Sequence, residues 1–268
     1  MKIDLLDHGY VELIEARGDD RFIAQTARTS TATDKTEDED HRLLRRLIRD
    51  EHTSPVEFAS VVLQIKAPLF VARQWMRHRS GTFNEFSGRY SEFPEEFYVP
   101  ELSRIQAQST FNKQGSAEQL EGNLPEKIQA IIRGESGAAY RVYQGLLETG
   151  LTRELARMVL PTNYYTVYRW NVNLHNLFHF LRLREDAHAQ YEIRVYAEAI
   201  HKILLHTFPV ATQAFEEFIQ DRVRISSCAA ETLATLAKSS IPSEYLEANA
   251  ELRDFVRKYA SADNAIDI

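Results

Sequence analysis

Residues 59–78 read Ala59-Ser-Val-Val-Leu-Gln-Ile-Lys-Ala67, then Pro68-Leu-Phe-Val-Ala-Arg-Gln-Trp-Met-Arg-His78. In the first half the odd positions Ala59, Val61, Leu63, Ile65 and Ala67 are all apolar, while Ser60, Gln64 and Lys66 interrupt the even set, which is the period of a strand with one buried face. Pro68 suits the first turn of a helix running to about His78, with Val71, Ala72, Trp75 and Met76 as its packed side. A strand that passes directly into a helix is therefore the seed of the fold. Upstream, Tyr10 to Ala16 reads as a second strand, and Asp19 can cap a helix whose inner face carries Phe22, Ile23, Ala27 and Thr26. The segment Glu37 to Asp50 repeats Leu43, Leu44, Leu47 and Ile48 at helical spacing, with acids first and arginines last as the helix dipole favours, and Pro55 ends it.

Downstream, Ser80 to Gly88 is small and polar and predicts a loop, and Tyr90 to Val99 carries aromatic, extended signals and predicts a strand. Residues 103–124 are rich in Gln, Ser, Asn and Gly without periodicity, which predicts a surface insertion. Pro125 opens a helix with Ile128, Ile131, Ile132, Val142, Tyr143, Leu146 and Leu147 on its inner side and Gly150 as its stop; Thr152 caps another that reaches Pro161. Tyr164 to Val172 alternates as a strand, Asn173 caps a helix with Leu174, Leu177, Phe178 and Leu181 inside, and a long helix follows from Gln190 to His206. The tail has helical patches at 215–218, 232–237 and 245–259, separated by Ser239 and Pro242. Helices outnumber strands, and the strands are too few and too unevenly spaced for a βαβ succession. The class is α+β, helix-rich, with helices packed on a mainly antiparallel sheet.

With 268 residues, 44% of them hydrophobic and 26% charged, the chain can bury a large core, and a disordered or low-complexity reading is excluded. No apolar run approaches the ~18 residues that span a bilayer, and Asp4 and Asp7 stand where a secretion signal needs basic then apolar residues, so a cytoplasmic enzyme or binding protein is expected. The net charge of −7 argues against a general polyanion surface. The single cysteine, Cys228, allows no internal disulfide and no cysteine-rich zinc site, and with no histidine beside it reads as a small packing residue. There is neither a Gly-x-Gly-x-x-Gly nor a phosphate-loop motif, so any nucleotide is held in another way.

The densest polar constellation is Arg77-His78-Arg79-Ser80-Gly81-Thr82-Phe83-Asn84-Glu85-Phe86-Ser87-Gly88-Arg89-Tyr90. Guanidinium groups grip phosphates bidentately, and Ser87, Gly88 and Arg89 can turn backbone N–H groups toward a second anion. A solvated charged loop is the plain alternative, against which Glu85 among the arginines and the anchoring Phe83 and Phe86 count. Arg153 and Arg157 lie one helical turn apart, where a surface ion pair is the ordinary role. His175 and His179 have the i,i+4 spacing of a zinc pair and, with His188, would serve a metal hydrolase, but no glutamate follows His175 as that motif requires. The arginines of 42–49 and 73–89 would serve a nucleic-acid binder, which the net charge opposes.

Arg77-His-Arg79 followed by Ser87 is similar to the signature of flavin-dependent thymidylate synthases. Four further stretches resemble the same family in the same order: His52-Thr-Ser-Pro55, Ala67-Pro-Leu-Phe-Val-Ala-Arg-Gln-Trp75, Arg153-Glu-Leu-Ala-Arg157 through Leu160-Pro161, and Leu183-Arg-Glu-Asp-Ala-His-Ala-Gln190. The resemblance covers most of residues 1–210, implying a catalytic domain there and leaving 211–268 as a helical extension. It implies a homotetramer with sites shared between subunits, binding FAD, dUMP, NADPH and 5,10-methylenetetrahydrofolate, with no metal, no membrane and no nucleic acid. NADPH reduces the flavin, the folate gives its one-carbon unit to C5 of uracil, and a hydride completes the methyl group without an enzyme thiol.

By the same resemblance, Ser54, Arg77, His78, Arg79, Glu85, Asn173, His175 and His179 correspond to flavin contacts. Gln74, Trp75, Met76, Arg77, Glu85, Phe86, Ser87, Gly88, Arg89, Arg157 and Arg184 correspond to the dUMP-binding set. Arg184, beside the pyrimidine, His52, near flavin and folate, and Ser87 correspond to the residues closest to the chemistry. His175 stands where many members carry arginine, and Ser54 where some carry threonine.

Overall fold

The computed structural model describes residues 1–30, 36–110, 115–223 and 225–260. In chain order these hold β1 (Lys2–Leu5), β2 (Gly9–Arg17), α1 (Asp20–Arg28), α2 (Glu37–Arg49), β3 (Ser60–Pro68), α3 (Leu69–Trp75), β4 (Gly81–Glu85) and a small hairpin of β5 (Gln106–Gln108) and β6 (Ser116–Gln119). They continue with α4 (Leu124–Glu148), α5 (Arg153–Ala156), β7 (Tyr165–Asn173), α6 (Leu174–Arg184), α7 (Tyr191–Thr207) and α8 (Pro209–Phe215). A separate unit, Asp221–Ile268, carries α9 (Ser227–Ser240), α10 (Ser243–Ala248) and α11 (Ala250–Tyr259) among its described residues.

The main sheet is antiparallel in the order β1-β2-β3-β7-β4. Register places Val61, Leu63, Ile65 and Ala67 opposite Val172, Trp170, Tyr168 and Thr166, and all eight are buried. This is the single apolar face that the alternation demands, and α3, α6 and α7 pack Trp75, Phe180, Ile193, Tyr196 and Ile200 into the same core. Trp75 sits at its centre, stacked on Phe180 with centroids 4.7 Å apart and edge-on to Tyr168, Trp170 and Tyr196. The class, the strands β2, β3 and β7 and the helices α1, α2, α6 and α7 agree with the sequence reading, and Asp19 and Asn173 cap α1 and α6 by accepting from Phe22 N and Asn176 N.

β1 has no counterpart in the sequence reading, the helix expected from Thr152 to Pro161 is α-helical only at Arg153–Ala156, and four further elements differ. The helix after β3 stops at Trp75, and Pro68 closes the strand opposite Tyr165 instead of opening the helix, because its missing N–H costs nothing at a strand end. The predicted loop 80–88 contains β4, which pairs with β7; Phe83 stacks on Trp170 at 5.8 Å, and a side chain on Gly81 would overlap the Trp170 indole. The strand predicted at Tyr90–Val99 is an irregular run with one bridge, Phe97 to Tyr164, its aromatics serving a small second core where Phe93 meets Phe86 and Tyr164. On α4, Tyr143 is buried as expected, but Ile131 is 61% and Val142 53% exposed in the single chain, while Ser136 points inward.

The main body runs to Gln220, beyond the boundary expected at 210. Ala211, Ala214 and Phe215 of α8 are fully buried, Phe215 stacks on Phe178 at 4.5 Å, and Asp20 accepts from Val210 N and Ala211 N at the start of α8. Within the segment expected as a surface insertion, β6 is wholly exposed whereas Ile105 is buried; residues 111–114 lie outside the described residues. In the second unit Ala230, Ala234 and Val256 are buried, whereas Cys228 on α9 is exposed and is not the packing residue expected.

Candidate functional site

β7 leads through Asn173 into α6, and beside it α3 turns through Met76–Ser80 into β4; between the turn and α6 lies a cleft of about 520 Å³. It is lined by Arg77, His78, Arg79 and Ser80 from the turn, Trp170 and Val172 from β7, and Asn176, His179, Leu183 and Arg184 from α6. Three guanidiniums face it and no carboxylate does. That donor set suits a diphosphate or another polyanion held bidentately.

Arg184 Nε donates to His78 Nε2 at 3.0 Å. An arginine only donates, so His78 Nε2 is the acceptor and its proton sits on Nδ1. Burial first, then the charges of Arg184 and His179, push the imidazole down to about 4, and burial also lowers the Arg184 guanidinium. His78 is thus neutral at physiological pH beside a fixed cation. Because its folded value lies below the free value, the unfolded chain takes up the proton first as pH falls from 6.5 to about 4, and that stability is lost over this window. His78→Gln is expected to reduce the fall in Tm between pH 7 and pH 4.5, measured against the parent by thermal scans; equal falls would show that His78 is not held neutral.

At the other end of β4, Glu85 Oε1 accepts from Thr166 Oγ1 at 2.7 Å, and Phe86 N continues the pairing onto Val167 O at 2.8 Å. A shallower recess of about 280 Å³ opens there between Gln64, Glu85, Phe86, Tyr168 and Arg169. Ser87 O then receives Tyr90 N and Ser91 N, and Ser87 Oγ receives Arg89 N at 3.3 Å. Gly88 is buried in this turn, where a Cβ would overlap the Phe93 ring and press on Arg157. Arg89 pairs with Glu154 at 3.1 Å, and Arg153 with Glu92 at 3.5 Å, the surface role expected for Arg153.

The expected residues therefore gather in two groups. Arg77, His78, Arg79, His179 and Arg184 share the cleft. Glu85, Phe86, Ser87, Gly88, Arg89 and Arg157 surround the turn, and four residue steps of β4 put about 13 Å between the groups. Gln74 is outside both linings and bonds Gln190. The Trp75 side chain is fully buried and takes no part in either lining, and Met76 is partly buried against the same core. His52 and Ser54 are exposed in the connection after α2, which reaches α6 through Leu174 N on Ala59 O. Asn173 Oδ1 is occupied by its cap, and His175 does not line the cleft. His188 is exposed and bonds Asp186, and among the described residues no three His, Cys, Asp or Glu side chains are grouped to hold a metal ion. Trp170, Val172, Asn176 and Leu183 line the cleft without having been anticipated there; their signal was the β7 alternation and the α6 period, which become informative only once β4 is known to pair with β7.

Residues 12–210 match the family model described as thymidylate synthase complementing protein. The chain belongs to that family. The match spans every expected site residue from His52 to Arg184. A flavin-dependent thymidylate synthase of Ruegeria pomeroyi is 46% identical over 228 residues, covering 83% of this chain and 76% of its own. One from Thermus thermophilus is 48% identical over 227 residues, covering 84% and 82%. A crystal structure of a UMP/dUMP methylase, PolB from Streptomyces cacaoi bound with 5-Br dUMP, superposes with a TM-score of 0.73 at 32% identity over 81% of this chain and 99% of that one. Its family membership and the shared α+β architecture thus rest on sequence and backbone independently. No helix among the described residues is long and apolar enough to cross a membrane.

Proposed function

We propose that this protein is a flavin-dependent thymidylate synthase converting dUMP, 5,10-methylenetetrahydrofolate, NADPH and a proton to dTMP, tetrahydrofolate and NADP⁺. The observation that carries the reading is the acid-free cleft with three arginines, on a chain of this family. The residues fit FAD: Arg77 and Arg79 offer planar donors to its diphosphate, and neutral His78 offers Nδ1–H beside them without a further charge. Bound FAD supplies the redox chemistry, taking reducing equivalents from NADPH and delivering hydride to the one-carbon unit. The Ser87 hydroxyl and the backbone N–H of Gly88, with Arg157, whose side chain runs beside Gly88, hold the nucleotide phosphate, while the Arg89 N–H braces the turn on Ser87 Oγ. Arg184 faces the pyrimidine and stabilises charge pushed onto its N3 and carbonyl oxygens when C5 is activated. His52, exposed just after α2, is assigned to the folate by the family resemblance.

One chain holds its two groups about 13 Å apart along β4, a separation that supports sites completed between subunits of a homotetramer. The exposed Ile131 and Val142 of α4 suit a subunit contact of that kind. We place the enzyme in the cytoplasm. Purified protein should form dTMP only when FAD, NADPH, dUMP and methylenetetrahydrofolate are all present; loaded protein that forms none would overturn the reading. Cys228→Ser should leave the rate within about twofold, because the thiol is exposed on α9 and the chemistry uses no enzyme adduct. A hundredfold loss in folded protein, ~2.7 kcal/mol, would mean a covalent route.

A further inference from the structure

Gln74 ends a hydrogen-bonded chain that starts in the insertion. Its Nε2 donates to Gln190 Oε1, and Gln190 Nε2 donates to Glu192 Oε2 at 2.8 Å. The other carboxylate oxygen, Glu192 Oε1, accepts from the Tyr98 hydroxyl at 3.1 Å and from Arg104 Nη2 at 3.4 Å. Glu192 is only 6% exposed. Arg104 lies just before β5, over the Tyr191 ring at 4.4 Å, and donates as well to Gln106 Oε1. Burial and the neighbouring Glu192 raise the Tyr98 phenol, which keeps its proton.

The direction of every bond in this chain follows from its far end. A carboxylate accepts and does not donate, and Arg104 and Tyr98 supply donors to one of its oxygens. Gln190 must therefore turn its NH₂ to Glu192, which leaves its oxygen toward Gln74. Gln74 must in turn present NH₂ to Gln190, so the acceptor it turns away from Gln190 toward a ligand is its own Oε1, beside one remaining N–H. An unrestrained amide would present either end at nearly equal cost.

We infer that Glu192, acting through Gln190, orients the Gln74 amide so that an acceptor oxygen faces the nucleotide, which makes Glu192 a positioning residue and gives the segment containing Arg104 a role in substrate binding. This rests on the reading that Gln74 contacts dUMP. The group it selects is a hydrogen-bond donor, of which dUMP offers the 3′-hydroxyl and N3–H.

Glu192→Gln reverses the chain. Arg104 and Tyr98 hold the new carbonyl oxygen, so its NH₂ faces Gln190, Gln190 flips, and Gln74 must present NH₂ to the nucleotide. Calorimetric titration of the flavin-loaded protein with dUMP should show about tenfold weaker binding, with flavin affinity unchanged within about twofold. Gln74→Glu tests the direction itself: in the parent its carboxylate opposes the Gln190 oxygen, whereas in Glu192→Gln it meets an NH₂ and again offers an acceptor. The added charge is common to both backgrounds, so Gln74→Glu should cost dUMP at least fivefold less in Glu192→Gln than in the parent. Penalties equal within about twofold would overturn the inference. If Gln74→Ala leaves dUMP binding unchanged, the assignment of Gln74 to the nucleotide falls and the inference falls with it; if Gln74→Ala weakens dUMP and the penalties are equal, only the inference falls. Should Glu192→Gln fail to fold, the same comparison in Gln190→Met, which cuts the chain without altering a charge, gives the same two outcomes. The donor is identified with 3′-deoxy-dUMP and N3-methyl-dUMP, one of which should bind parent and Glu192→Gln alike; if both still distinguish the two proteins, no single donor is read and the inference is overturned.

Discussion

Trp75→Ala is expected to destabilise the protein by about 3–5 kcal/mol, the range for truncating a large buried aromatic. Its indole is fully buried and meets Phe180, Tyr168, Trp170 and Tyr196 from β7, α6 and α7, so one truncation opens a cavity where sheet and helices join. Trp75 Nε1 has no hydrogen-bond partner, so the loss is packing alone. A domain holding only 5–15 kcal/mol in total loses much of its margin by this change. Urea unfolding should show a lower midpoint with an unchanged slope, and Trp75→Phe should recover more than half of the loss. A loss below about 1.5 kcal/mol would mean that the surroundings collapse onto the gap. Trp75 lies two residues before Arg77, so Trp75→Ala should also release flavin at temperatures below its unfolding midpoint.

The features that sequence made legible share one property: each carries its signal within its own span. The odd positions of β3, the alternation of β7, and the caps Asp19 and Asn173 depend on neighbours in the chain, and the structure realises them. β4 does not. Its residues Gly81, Thr82, Phe83, Asn84 and Glu85 look like a polar loop until β7 supplies the ladder and Trp170 supplies a surface for Phe83. The Tyr90–Val99 segment fails in the opposite sense, since its aromatics are spent on a local core around Phe93 and the main sheet already ends at β4. The apolar α4 positions Ile131 and Val142 have strong helical period but no cover within one chain, which periodicity by itself does not distinguish from a buried face. For the site, the motif residues were visible as residue types, but their division into two groups at opposite ends of β4 required the strand that sequence concealed. The Gln74–Gln190–Glu192 chain links side chains 116 positions apart and has no local signature at all.

Arg184→Lys should leave flavin bound and reduce dTMP formation about a hundredfold. C5 of a pyrimidine is a poor nucleophile until electron density enters the ring, and the resulting negative charge spreads over N3 and its adjacent carbonyl oxygens. A stabiliser has to be in place before that charge develops. Under the proposed function that stabiliser is Arg184: its Nε is engaged by His78 at 3.0 Å, which leaves the terminal nitrogens of a planar fork for the cleft. The backbone behind it is pinned at the next residue, because Glu185 receives His201 Nδ1 at 2.9 Å and Gln220 Nε2 at 2.8 Å. Lysine keeps the charge and the favourable position at the last residue of α6, so a role confined to the helix dipole would survive the exchange. It offers a single mobile ammonium that cannot bond His78 and also present two parallel donors. Bound-flavin absorbance, NADPH-dependent flavin reduction and dTMP formation, measured on Arg184→Lys beside the parent, separate the two roles. The first two should persist while the third falls by about two orders of magnitude, ~2.7 kcal/mol of barrier. A lysine variant that makes dTMP within about tenfold of the parent, a change under ~1.4 kcal/mol, would remove Arg184 from the activation of the pyrimidine and leave it a helix-end cation.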